Sequence, residues 1–236
     1  MHSIQKTARF AGVLYLIITV AAIIAHQYVP STLIVPNDPA ATASNIAASE
    51  TLFRIGGVGS ELVILLSEIV LAVVLYVLLK PVNKTLSLIA AASRLAMTTI
   101  HGLNLLNYYF ILLLVGGAGY ATAFEPNQVN ALVSLFLDAH HYGFTIGIAF
   151  LTIHVFVLGY LIIKSGYFPT ILGILFLAAG VGYLVDSFAL LLSTGYDTTP
   201  IFLAIPIALA EIAFPVWLLI KGVNVEVWKK QTLVSA

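Results

Sequence analysis

Ionisable side chains set inside long apolar stretches are the residues of this sequence that could do chemistry. Glu61, Glu68, Arg94, His101, Asn104, His154, Asp186 and Glu211 all fall within runs made mostly of Leu, Ile, Val, Ala and Phe. A charged side chain at the centre of a bilayer costs at least about 2.5–3.5 kcal/mol, so such groups face a partner or a water-filled cavity. They are candidates for binding a small ligand, an ion or a lipid. A second chemistry is metal-assisted hydrolysis of a lipid-like substrate. His101, His140, His141 and Asp186 are the residue types of a zinc site that activates water. Adjacent histidines on a helix point about 100° apart, which works against His140 and His141 sharing one metal. A third is haem ligation by His101 and His154.

Spacing gathers many of these groups onto helix faces. Glu61 and Glu68 are seven residues apart, two turns of a helix. Arg94, Thr98, His101, Leu105 and Tyr108 follow one another at spacings of four and three. His140, Gly147 and His154 recur every seven residues. Gly143 and Gly147 form a small-xxx-small pair that lets a neighbouring helix come close. Asn104 and Asn107 read as polar links between helices, and the aromatic residues as interfacial belts and packing.

The elements that must position these residues are membrane spans. Only 8% of the 236 residues are charged and 61% are hydrophobic, whereas soluble domains carry roughly 25% charge. A span needs about 20 apolar residues in a helix. Six stretches qualify, at residues 10–28, 55–79, 86–115, 139–163, 169–192 and 201–220. The sequence therefore predicts an all-α, polytopic helical bundle forming a single transmembrane domain over 1–236. Asp38 and Pro39 open a short interfacial helix over 40–49, capped by the aspartate with proline in the first turn. Residues 128–137 read as a second interfacial helix. Pro169 is placed to start the fifth span, and Pro206 and Pro215 to kink the sixth around Glu211. The first span is expected to stay uncleaved, because no small-x-small site follows it.

Lys6, Arg9, Lys80, Lys84, Lys164, Lys221, Lys229 and Lys230 fall on one side of these spans, and Arg54 alone on the other. That bias predicts a multi-pass protein of the inner (plasma) membrane with both termini cytoplasmic. Counting about 1.5 Å per residue puts Glu61, His101, Asn104, Asn107, His140, His141 and Asp186 in the outer half. Glu68, Glu211 and His154 fall nearer the midplane, and Arg94 in the inner half. The result is an outward-opening polar pocket above an ion pair, with Glu211 the first expected partner of Arg94 and Glu68 the second. The same pair reads equally well as a structural lock. A formal net charge of zero gives nucleic acid no electrostatic footing. The absence of cysteine excludes disulfides and thiolate metal sites. The partners expected are membrane lipids and a small-molecule ligand.

Several segments taken in order resemble a known family. They are Arg9-Phe10-Ala11-Gly12-Val13-Leu14-Tyr15, Ser93-Arg94, the stretch 158–169 from Leu158 through Lys164-Ser165-Gly166-Tyr167 to Pro169, and Pro206-Ile207-Ala208-Leu209-Ala210-Glu211 followed by Trp217-Leu218-Leu219-Ile220-Lys221-Gly222. Their order is similar to that in a bacterial membrane family known as domain of unknown function 4386. The resemblance implies six helices in a bacterial inner membrane and carries no established activity. It matches Glu61, Arg94 and Glu211 to charged positions of the family. The family often has Asn where this chain has Ala210. No internal repeat is visible, which places binding of a ligand above transport, since transporters are commonly built from inverted repeats or broken helices.

Overall fold

A computed structural model describes residues 3–117, 119–196 and 198–234. Met1, His2, Ala118, Asp197, Ser235 and Ala236, in the expected termini and loops, lie outside the described residues. Every described element is helical. Six helices are long and apolar enough to cross a membrane: α1 (Ile4–Leu33), α3 (Glu50–Leu79), α4 (Lys84–Val115), α5 (Pro126–Ser165), α6 (Thr170–Leu192) and α7 (Ile201–Ile220). The chain is thus built as an integral membrane protein. Two shorter α-helices, α2 (Pro39–Ala48) and α8 (Val225–Val234), and a 3-10 helix at Gly119–Ala123 join them.

The faces follow the sequence spacing. In α3, Glu61, Ile64, Leu65, Glu68, Leu71, Ala72 and Leu75 are buried, while Leu62, Val63, Leu66, Ile69, Val70 and Val73 are exposed. Leu66 is 65% exposed and Glu68 only 5%. An exposed leucine beside a buried glutamate inverts the order of a soluble protein and is what lipid around a helix requires. In α4, the stripe Arg94, Thr98, His101, Leu105 and Tyr108 is buried throughout. In α5, so are His140, Gly147 and His154.

The chain forms two compact units. Unit 1 comprises Met1–Leu16, Ser67–Thr98 and Thr145–Ala236, and unit 2 comprises Ile17–Leu66 and Thr99–Phe144. In unit 1, α5 and α6 approach through bare backbone. A Cβ on Gly173 would lie 2.5 Å from the Gly159 carbonyl oxygen, and one on Gly159 would lie 2.9 Å from that of Gly173. The turn between them uses Gly166 at φ 65°, a conformation glycine adopts without penalty. The next residue, Tyr167, donates its hydroxyl to the Leu78 carbonyl at 2.7 Å, and burial raises its pKa.

Unit 2 holds α2, where Asp38 Oδ1 accepts from the Ala41 amide at 2.9 Å and Pro39 fills the first turn, as the sequence predicts. It also holds the departures from regular helix. Residues Ile24–Tyr28 of α1 and Phe53–Gly59 of α3 are π-helical, whereas α4 keeps α-helical dihedrals through Leu105. Pro30 explains the first. It has no N–H for the His26 carbonyl and its ring crowds that carbonyl, so the preceding turn widens. Gly56, Gly57 and Gly59 allow the second. A Cβ on Gly56 would meet Val29 Cγ2 at 2.7 Å.

Four expectations change. The first span runs Ile4–Leu33 where residues 10–28 are expected, because Pro30 widens the helix without ending it. Residues 128–137 are not a separate interfacial helix but part of the 40-residue α5, because no proline or glycine interrupts the chain between Pro126 and Gly143. The second span begins at Glu50, five residues before its expected start, with its first turns wound as π-helix. Helix α8 was not foreseen, since ten residues carrying Glu226, Lys229 and Lys230 are too short and too polar to read as a span.

Candidate functional site

The sequence-predicted residues fall into two clusters, one in each unit. In unit 1 the centre is Arg94, buried on α4. Its Nε donates to Glu68 Oε2, and its Nη2 donates to Glu68 Oε1 at 2.9 Å. Its Nη1 lies 2.9 Å from His154 Nε2 and 3.5 Å from the Tyr15 hydroxyl. The guanidinium carbon also sits 5.3 Å from the centre of the Tyr15 ring. Since Arg94 can only donate, His154 Nε2 must accept. His154 Nδ1 then carries the proton, which it donates to the Ala90 carbonyl at 2.8 Å. The tautomer is fixed from both sides, and both ring nitrogens are engaged. Haem ligation by His154 would require breaking one of these bonds.

Arg94 was expected to pair first with Glu211, and its partner is Glu68. Helix counting placed both acids near the midplane and could not separate them. Glu211 instead accepts from the Tyr183 hydroxyl at 3.2 Å. Asp186, half-buried toward the end of α6, accepts from the Tyr196 hydroxyl at 2.6 Å. Tyr196 lies outside the spans, and its pKa is pushed up to about 12, first by lost hydration and then by the hydrogen bond to Asp186.

The unit 2 cluster is built from α1, α3, α4 and α5. His26 Nε2 lies 2.6 Å from Glu61 Oε1, with the imidazole side chain 31% exposed and the carboxylate 5%. The His26 ring meets the Phe144 ring edge-on at 4.9 Å. His101 stacks on the same ring at 4.6 Å and donates from Nε2 to the Phe144 carbonyl at 3.0 Å. His140 stacks on Tyr108 at 3.7 Å, and Tyr108 packs against Phe53. Asn104 donates to the His140 carbonyl at 2.8 Å and accepts from Asn107 at 2.9 Å. That is the helix-linking role its type predicts. Gly143 makes this possible, because a Cβ there would lie 2.0 Å from Asn104 Oδ1.

Among the described residues, no group of three or more His, Asp or Glu side chains is arranged to hold a metal ion. Of the proposed metal ligands, His101 and His140 are each stacked on an aromatic ring, and His141 is exposed with its ring against Tyr142. Asp186 belongs to unit 1 and is taken by Tyr196.

Four contributors escaped the sequence reading: His26, Tyr15, Tyr183 and Tyr196. His26 carried a usable signal. It lies four residues before Pro30, so its carbonyl was certain to lose a helical partner. The tyrosines carried none, because a tyrosine in a span reads equally well as interfacial belt or core.

No solved structure matches the chain. A protein from Archaeoglobus fulgidus described as an uncharacterized protein is 31% identical over 173 residues, covering 73% of this chain and 85% of the relative. Residues 10–222 match a family described as a domain of unknown function, which takes in all of unit 2, most of unit 1 and every candidate residue named above. With the match running over residues 10–222 and six membrane-length helices within the chain, the chain belongs to the family of domain of unknown function DUF4386.

Proposed function

We propose that this integral membrane protein binds a small ligand or ion inside the bilayer through the polar cluster of unit 2, either to hold it or to move it. One observation carries the reading. Two helices leave regular α geometry beside the same histidine and carboxylate, at Ile24–Tyr28 and Phe53–Gly59. π-turns inside helices concentrate at functional sites, and irregular backbone at membrane depth is tolerated where it is buried in protein or lines a cavity. Glu61 is a buried acid whose visible partner is a part-exposed imidazole. A bound cation or ligand N–H can take the place of His26 at the carboxylate.

The chain is further proposed to lie in the plasma (inner) membrane with both termini cytoplasmic. Support comes from the distribution of cations: the eight Lys and Arg residues on one side of the spans against Arg54 alone on the other. Arg54 is itself paired with Glu50 at 2.5 Å. Cysteines introduced at Ser44 and Asn127 should react with an impermeant thiol reagent in intact cells, and one at Asn83 should not. The reverse pattern would overturn the orientation.

Native mass spectrometry of protein extracted in mild detergent tests the binding reading. The expected result is a co-purified small-molecule adduct that disappears in Glu61→Gln while the thermal transition is kept. An adduct unaffected by Glu61→Gln, or none in the parent protein, would contradict it.

A further inference from the structure

A second site of a different kind lies at the far end of unit 1's sequence, around α8. A groove there is lined by Pro81, Val82, Val227, Lys230, Gln231 and Val234. Helix α8 is held against the rest of the unit by two side chains three residues apart. Trp228 Nε1 donates to the Leu78 carbonyl at 3.0 Å, and Gln231 Nε2 donates to the Ser165 carbonyl at 2.7 Å. Leu233 and Val234, on the last turn, are 82% and 84% exposed. A helix fixed along one face, with bare apolar residues at its end and lysines beside them, has the composition of an interfacial helix.

Charge says what occupies the groove. Lys230 lines it. Lys80 adjoins Pro81, Lys84 follows that turn, Lys229 adjoins Lys230, and Lys164 adjoins Ser165. Among the described residues, none of these lysines is paired with a carboxylate, and the ion pairs all lie elsewhere. Lys164 only approaches the Tyr160 ring. Glu226 is the sole acid in α8. The second observation concerns Gln231. With its Nε2 committed to Ser165, its Oε1 is a buried acceptor with no donor among the described residues. A buried acceptor left unmatched is costly, so the group is expected to receive a donor. An anion alone would satisfy the lysines and leave Gln231 unmatched.

We propose that this groove binds the headgroup of an anionic glycerophospholipid that carries both a phosphodiester and a free hydroxyl, as phosphatidylglycerol does. The phosphodiester lies at Lys230, the headgroup hydroxyl donates to Gln231 Oε1, and the acyl chains run along Val82, Val227 and Val234. This site shares no residue with the unit 2 cluster, so either reading can fail without the other.

The test uses the full chain in detergent, incubated with equal amounts of phosphatidylglycerol, the methyl ester of phosphatidic acid and phosphatidylcholine, with retained lipid read by native mass spectrometry. The methyl ester keeps the phosphodiester and lacks the hydroxyl. Phosphatidylglycerol should be retained best and phosphatidylcholine least. Lys230→Gln, an exposed-face change that leaves the helix contacts intact, should lower phosphatidylglycerol retention by about fivefold, the effect of one lysine near an anionic lipid. Gln231→Leu should bring phosphatidylglycerol down to the methyl ester's level, with the melting temperature confirming that the fold is kept. Equal retention of phosphatidylcholine and phosphatidylglycerol would overturn the proposal, as would a Lys230→Gln protein that retains lipid like the parent. Displacement of the lipid by inorganic phosphate at matched concentration would identify a free-anion site instead, and would also overturn it.

Discussion

Units 1 and 2 each bury a carboxylate against a basic side chain, and they complete the surroundings in opposite ways. Around Arg94, the guanidinium faces Glu68, His154 and Tyr15, and His154 is pinned again by Ala90. The helical segments that carry these residues are regular α-helix. Around Glu61, the partner is a histidine with a side chain 31% exposed. The flanking segments are π-helical, and the neighbouring histidines rest on aromatic rings. The difference teaches how to read charge inside a membrane. A charge already bonded to three side chains is a lock, because a ligand taking any of their places would have to break an existing bond. A charge with one replaceable partner, in helices that already leave α geometry, is free to change partners.

The largest effect expected from this contrast lies in unit 1. Arg94→Leu leaves Glu68 buried without its partner and should destabilise the protein by about 3–5 kcal/mol, read as a lowered thermal midpoint in detergent. Arg94→Leu combined with Glu68→Gln should recover most of that loss, because a buried pair can be replaced as a unit. A double variant as unstable as the sum of the single ones would remove the lock.

Next in size is the backbone contact of the same unit. Gly173→Ala drives a methyl group toward the Gly159 carbonyl, and backbone cannot swing aside. A loss of about 1–3 kcal/mol is expected. Gly143→Ala is the unit 2 counterpart and should cost less. Its methyl group meets the Asn104 side chain, which can rotate away at the cost of its bond to the His140 carbonyl, about 1 kcal/mol. Equal costs at the two glycines would blur the distinction between rigid and adaptable packing.

The smallest effect is at Tyr196. Its folded pKa lies above the ordinary tyrosine value, so its contribution to stability is complete below about 10 and lost as pH rises through about 12. Difference titration of the parent protein against Tyr196→Phe, followed by phenolate absorbance, should show that late midpoint. Asp186→Asn should move it back toward the ordinary value. An unshifted midpoint in the parent would remove the Asp186 contact.

Much of this architecture was legible in the residues. The stripe Arg94–Thr98–His101–Leu105–Tyr108 is buried as its spacing requires, and Asp38 with Pro39 opens α2. Periodicity records which face a residue takes. It does not record which of two acids at similar depth an arginine meets, so Glu68 and Glu211 stayed unresolved until packing decided between them. It also assumes regular helices, whereas Pro30 and the glycines at 56, 57 and 59 widen two of them. His26 was missed for that reason: at the end of a span it reads as a boundary residue. Helix α8 was missed because its stability comes from Trp228 and Gln231 reaching distant carbonyls, which leaves no apolar run to notice.

The central claim is that unit 1 holds the structure while unit 2 holds the ligand. Its most direct test measures melting temperature and retained small-molecule mass on the same samples of Glu61→Gln and of Arg94→Leu with Glu68→Gln. Glu61→Gln should lose the adduct and keep a melting temperature close to the parent's, since the amide fills the same space and can still hydrogen-bond to His26. The double variant should keep the adduct. Loss of the adduct from the double variant, with full retention in Glu61→Gln, would contradict the account.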